Sequence, residues 1–345
     1  MKIDIRGNTN YIWKIVFTFF IAYIHSTYFK GETRGWYLCV DFFFFSSGFV
    51  LTKAKETDTF MYIWRRTRKL WPHLFMSYMM IYIYVYRNNF EEMIRQMLIH
   101  IGESTPFSYF FFNFDFAGKY PLNYPTWYVT CLLICSMVIH YLYFNNRRLY
   151  VSVIAPVAII LIYGYIYRSA SSLNTGREVG VFLNEYLLRA FAGLSVGVLG
   201  GYILNRIQEV KFSRFFFAVV RIIEMTMMSL FIWGGKRYGE RKTDIVFLGI
   251  LLVGAFCSFV HPLNDNRIFV IVSNMAKKAN GYTYACYLNH IFAGMLVKDA
   301  FVNVPGMDNL FVYYIVVIGL AVITQGSLNL LKKQCGKFRR VFIIE

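Results

Sequence analysis

Ten stretches of 17 to 23 residues, rich in Leu, Ile, Val and aromatic side chains and poor in charge, recur along this chain. They lie at roughly 11–29, 36–54, 70–86, 126–144, 149–167, 182–204, 213–233, 244–261, 281–298 and 310–331. About 20 apolar residues in a helix cross a hydrocarbon core of about 30 Å. In lipid the backbone must satisfy its own polar groups, which restricts spanning segments to helices or closed barrels. The pattern predicts an all-α polytopic transmembrane helical bundle of about ten spans. Residues 1–345 read as a single integral-membrane domain, because no polar stretch is long enough for a second. The chain is 57% hydrophobic and 20% aromatic, above the roughly half apolar content of soluble domains. The N-terminal "MKIDIRGNTNYIWK" is basic before an apolar run, like a signal peptide. The run lacks a small-residue cleavage site and another span follows at once, so a retained helix is expected.

The net charge of +17 could suggest a nucleic-acid partner. Orientation accounts for it instead. With the loops numbered alternately, the side that holds both termini carries 21 Lys and Arg and the other carries 12, while Lys14, Arg189 and Arg221 lie within spans. The positive-inside rule then puts both termini in the cytoplasm of a cell whose inner (plasma) membrane holds the chain. The bilayer is the expected partner and nucleic acid is not. The loop "GGKRYGERKT" (234–243) is basic on the opposite side and departs from this pattern. Cys39, Cys131, Cys135, Cys257 and Cys286 fall inside spans and Cys335 in the tail. None has a C-x-x-C partner, so neither a disulfide framework nor a metal site is expected. Within the long connection 87–125, "FEEMIRQMLIHIG" has the spacing of an amphipathic helix lying on the outer surface.

Ionisable groups inside a bilayer are costly and point to an interior or a cavity. His25 lies in the outer third of the first span, and Asp41, in "WYLCVDFFFFSSGFVL", near the outer end of the second. At 1.5 Å rise per residue the two sit at nearly the same depth. A carboxylate beside a histidine orients it and makes it a better base for deprotonating a hydroxyl. A purely structural His–Asp hydrogen bond between helices is the other reading. On the cytoplasmic side, "MYIWRRTRKLWPHL" sets Arg65 and Arg68 three residues apart, on one helical face. Two guanidinium forks there suit a phosphorylated ligand, although a plain positive-inside cluster has the same composition. Glu185 and Arg189, four apart, can pair within their helix. Trp127 and Tyr128 open the fourth span in the manner of an aromatic belt. His290, in "GYTYACYLNHIF", is either a cavity-lining group or a packed histidine bonded to a neighbouring helix.

In their order and spacing these pieces resemble membrane acyltransferase family 3, the bacterial family that includes O-acetyltransferases of nodulation factors, O-antigens and other surface glycans. The resemblance rests on the first-span histidine His25 and on "DFFFFSSGF", similar to the family's FF-x-x-SGF (Phe43 to Phe49). It rests also on R-x-x-R (Arg65, Arg68) followed by Pro72, on "PTWYV", on "YACYLNH" and on the ten-helix count. The family usually has an arginine eleven residues before the histidine. Here Lys14 keeps the charge without the bidentate fork.

The resemblance implies an acyl-CoA donor, most simply acetyl-CoA as co-substrate with no other cofactor, and a carbohydrate or glycolipid acceptor. In this reading His25 and Asp41 are the catalytic residues, while Arg65, Arg68 and Lys14 hold donor phosphates. Trp127, Tyr128, Glu185 and His290 are candidates for the cavity or the acceptor side. About fourteen residues separate His25 from the inner end of its span, roughly 20 Å, the reach of an extended pantetheine arm. A transporter or flippase of a glycan or glycolipid is the alternative. Such proteins often carry paired interrupted helices in two repeat halves, a pattern this chain does not show. The topology predicts that reporter fusions at Asn146 and near Gly118 report opposite compartments; the same compartment for both would overturn it.

Overall fold

The computed structural model describes residues 3–4, 8–26, 34–103, 123–170, 172–174, 179, 184–238, 242–262, 267–301 and 310–342. The expected end of the first span (27–29), residues 104–122 of the connection 87–125 and the start of the sixth span (182–183) lie outside these residues. Eleven helices and one pair of short strands make up the described chain. They are α1 (Asn8–Ile24), α2 (Cys39–Leu51) after a 3-10 turn at Arg34–Leu38, α3 (Thr59–Val85), α4 (Phe90–Glu103) and α5 (Trp127–Asn145) after a turn at Tyr124–Thr126. Then come α6 (Arg147–Ser169, with a π turn at Tyr150–Ile154), α7 (Glu185–Ile207), α8 (Arg214–Tyr238), α9 (Asp244–Cys257), α10 (Arg267–Phe301) and α11 (Leu310–Phe342). Strands β1 (Ile3–Asp4) and β2 (His261–Pro262) pair antiparallel.

Among the described residues five helical stretches are long and apolar enough to cross a membrane: α5, α6, α7, α8 and Leu310–Lys333 of α11. Three more, Thr9–Ile24, Gly35–Leu51 and Asp244–Cys257, are apolar but shorter. Helices α3 and α10 run through the expected spans 70–86 and 281–298 as parts of longer helices of 27 and 35 residues. Local caps match these boundaries. The Asp58 side chain accepts from Met61 N at 2.7 Å ahead of α3, Asn89 from Glu92 N at 2.9 Å ahead of α4, and Asn184 from Leu187 N at 2.9 Å ahead of α7. Each satisfies an N–H that a helix start leaves without an intrahelical partner. The amphipathic segment 90–103 is a helix, as its spacing predicts. On it, hydrogen bonds from Arg95 and then Gln96 hold the Glu92 carboxyl below the usual range.

By its contacts the chain forms two units interleaved in sequence. One comprises Met1–Ile24, Phe29–Thr67 and Trp127–Asn280, the other His25–Tyr28, Arg68–Thr126 and Gly281–Glu345. The first unit is organised on a close seam between α2 and α7. A Cβ on Gly48 would stand 2.0 Å from the Leu194 carbonyl oxygen, and one on Gly197 would stand 2.1 Å from the Phe45 carbonyl oxygen. Gly193, Gly197 and Gly201, four apart, place one bare stripe of α7 against α2. Small residues let membrane helices pack backbone to backbone where lipid supplies no hydrophobic drive. Around the seam the Phe49 ring stacks on Phe259 at 3.8 Å, and Phe17 meets Phe42 edge-on at 4.8 Å. Asn10 donates to the Ser46 hydroxyl at 3.0 Å. In the second unit Pro72 sits inside α3, which continues through it. Ser77 donates to the Leu288 carbonyl at 2.8 Å, tying α3 to α10. Asn289 donates to Thr324 at 2.9 Å, tying α10 to α11.

Gly48→Ala is expected to lower stability by about 1–3 kcal/mol through overpacking against rigid backbone. Gly164→Ala, where a Cβ meets nothing within 4 Å, should cost nothing. Thermal unfolding in detergent compares the two; equal midpoints would mean that the seam tolerates a methyl group.

Candidate active site

Helix α1 ends at Ile24, so His25 stands on the turn just beyond it and not within a helix that continues outward. It is half-buried. Its Nδ1 lies 3.1 Å from Nε2 of His290, and the two rings stack at 5.1 Å and 21°. His290, on α10, is 1% exposed, and its own Nδ1 faces the Tyr287 carbonyl one turn back. The neighbours of His290 on α10 are anchored in turn. The Tyr287 hydroxyl donates to the Pro125 carbonyl. The Leu288 carbonyl accepts from both Ser77 and Asn123, the latter at 2.9 Å. Thr126 pairs with Tyr78 at 3.0 Å, and Tyr313 donates to the His290 carbonyl at 3.3 Å. Four consecutive residues, Tyr287 to His290, thus each hold a different neighbour. Of these groups the sequence singled out His25 and His290. It missed Ser77, Asn123 and Asn289, although a run of Asn289 and His290 inside an apolar stretch was the available signal.

Equal depth suggested Asp41 as the partner of His25. The carboxylate is instead taken by Arg189. Arg189 Nε donates to both Asp41 oxygens at 3.1 Å, and Nη2 donates to Oδ2 as well. The remaining guanidinium donors reach the carbonyls of Leu173 at 2.9 Å and Tyr37 at 3.4 Å. Tyr163 donates to Asp41 at 3.5 Å. Asp41 is 0% exposed and Arg189 1%. The intrahelical Glu185–Arg189 pair is therefore not formed: Glu185, 1% exposed, accepts from Ser169 at 3.1 Å. The reason is direction. Arg189 faces α2 and the Tyr37 turn, where the Asp41 carboxylate sits in bidentate range.

The basic cluster on α3 divides. Arg65 and Arg68 are exposed, and Arg65 forms a surface ion pair with Glu56 at 2.7 Å. Arg66 turns inward, donating to the hydroxyls of Tyr62 at 2.8 Å and Ser136 at 3.1 Å. Lys14 is half-buried on α1, with its ammonium 6.0 Å from the Tyr11 ring centre. Trp127, half-buried, stacks on Tyr186 at 4.3 Å, and the buried Tyr128 packs on Phe44 at 4.7 Å. The five cysteines in the expected spans are buried free thiols. Among the described residues no group of three or more His, Cys, Asp or Glu gathers as a metal site would require.

Asp41→Asn should destabilise the protein strongly, by about 3–5 kcal/mol, because it strands a buried guanidinium. The double variant Asp41→Leu/Arg189→Leu should cost less than the sum of the single changes. Additive losses in detergent unfolding would remove the coupling.

The model of a family described as an acyltransferase domain, acyltransferase family 3, matches residues 9–325, nearly the whole chain. No curated protein and no solved structure matches it. The matched region runs from the first turn of α1 to the polar turn of α11 and includes His25, both arginines of R-x-x-R and His290. This multi-pass membrane protein belongs to acyltransferase family 3.

Proposed function

We propose that the chain is an O-acetyltransferase of the plasma (inner) membrane, moving an acetyl group from cytoplasmic acetyl-CoA to a hydroxyl of a surface or lipid-linked glycan. The observation that carries this reading is His25, a half-buried imidazole in an acyltransferase family chain, held through Nδ1 by a second, buried imidazole. An imidazole so placed suits general base work. As the acceptor oxygen attacks the thioester carbonyl carbon, its proton passes to His25. The C–O bond forms, the C–S bond breaks, and the imidazolium returns the proton to the thiolate, releasing CoA as the thiol.

Arg65, Arg68 and Lys14 bind the donor's phosphates. Arg65 and Arg68 are exposed and share one face of α3, and the ion pair of Arg65 with Glu56 is of the exposed kind that contributes at most about 1 kcal/mol. A phosphate, carrying more charge and accepting bidentate bonds, displaces it. Trp127, half-buried, retains surface for a sugar. Tyr128, Glu185 and His290 are buried, which suits them to a structural part and not to direct contact with the acceptor. Asp41 serves the reaction indirectly, by anchoring Arg189 and the α2–α7 pair.

The test is transfer from radiolabelled acetyl-CoA to candidate glycans by the purified protein. His25→Ala should reduce transfer by about 10²–10⁴-fold or abolish it, with unchanged folding. Arg65→Ala/Arg68→Ala should raise the donor KM about tenfold or more while kcat holds, as expected when ground-state charge-assisted contacts are lost. Full activity in His25→Ala overturns the mechanism. An unchanged donor KM returns the two arginines to a topological role.

A further inference from the structure

We infer that His290 is the positioning residue of His25: it accepts the Nδ1–H of His25 and so makes Nε2 the basic atom. The inference rests on the reading of His25 as a base and assigns which nitrogen does the work.

The assignment follows from donors and acceptors. A carbonyl oxygen only accepts, so the Nδ1 of His290 that faces the Tyr287 carbonyl carries its hydrogen. A neutral imidazole has a single N–H. His290 Nε2 is then a lone pair, and it lies 3.1 Å from His25 Nδ1. Two lone pairs do not bond, so His25 Nδ1 is the donor and its Nε2 carries the lone pair. The chain of donation runs from His25 through His290 to the Tyr287 carbonyl, one turn back on α10. Each link is held. Tyr287 is fastened by its hydroxyl to the Pro125 carbonyl, and the His290 carbonyl receives the Tyr313 hydroxyl. The two ring planes lie within 21° of each other with centres 5.1 Å apart, as an N–H···N bond in the ring planes requires.

His290 thus does for His25 what an acidic residue does in a His–carboxylate pair, with one chemical difference. It orients the ring and selects the tautomer but supplies no negative charge. When Nε2 takes the acceptor's proton, His25 becomes an imidazolium whose Nδ1–H still has its acceptor, so no bond is rearranged in the step. The placement of His290 at 1% exposure keeps water from competing for that bond.

Two variants and two readouts test this. His290→Leu removes the acceptor. His290→Gln can return one, since its side-chain oxygen reaches the region of Nε2. The first readout is nitrogen-15 NMR of labelled histidine in the full-length detergent-solubilised protein, with His25→Ala used to assign its signal. In the wild type and in His290→Gln the His25 signals should show Nδ1 protonated and Nε2 bare. In His290→Leu they should shift to Nε2–H or to a mixture. The second readout is acetyl transfer, where His290→Leu should lose about ten- to a hundredfold in kcat with the donor KM unchanged, and His290→Gln should recover most of it. The same His25 tautomer in wild type and His290→Leu overturns the inference, as does a loss equal in both variants. A tautomer shift together with full transfer activity in His25→Ala leaves His290's role in place and overturns only the reading of His25 as base.

Discussion

Arg189 is a full cation at 1% exposure, and the first unit is arranged so that each of its Nε, Nη1 and Nη2 atoms meets an acceptor. An unpaired charge in such a place would cost several kcal/mol. Asp41, the Leu173 and Tyr37 carbonyls and the Tyr37 ring, 5.1 Å from the guanidinium carbon, therefore have to be present together. Tyr37 passes the constraint on by donating to Asp244 at the head of α9, which also accepts from Leu173 N at 3.0 Å. The glycine seam serves the same end. Only with bare positions at Gly48 and Gly197 can α2 approach α7 closely enough for Asp41 to take two donors from one guanidinium. Packing and pairing here are one constraint seen from two directions.

The second unit uses α10 as a hub. Successive side chains on a helix point about 100° apart, so those of Tyr287, Asn289 and His290 address different neighbours from one turn, while the Leu288 carbonyl takes Ser77 and Asn123. Sites carried on helices hold geometry better than sites on loops, and here the half-buried His25, on a turn, borrows rigidity from the helix opposite.

Much of the family pattern turns out to be structural in its first effect. Within "DFFFFSSGF", Asp41 binds Arg189, Ser46 binds Asn10, Gly48 admits the Leu194 backbone and Phe49 stacks on Phe259. Within R-x-x-R, Arg65 and Arg68 are exposed, Arg65 pairing with Glu56, while Arg66, between them, is taken by Tyr62 and Ser136. A string of letters does not separate these roles, because exposure depends on which way each Cβ faces once the helix has neighbours.

By itself, the sequence determined that this chain is helical and membrane-bound, where most helices run, and which few polar groups stand inside apolar segments. Those follow from hydropathy and local capping, which act over a few residues. It also determined the family, through blocks whose order survives along the chain. The pairing of the polar groups was decided only by tertiary structure. Position along a span gives a group's expected depth but not the direction it faces, and the equal depth expected of His25 and Asp41 does not make them partners. Arg189 is 148 residues from Asp41, and His290 is 265 from His25. No local rule reaches that far; the partners are chosen by helix rotation and close approach, which packing alone sets.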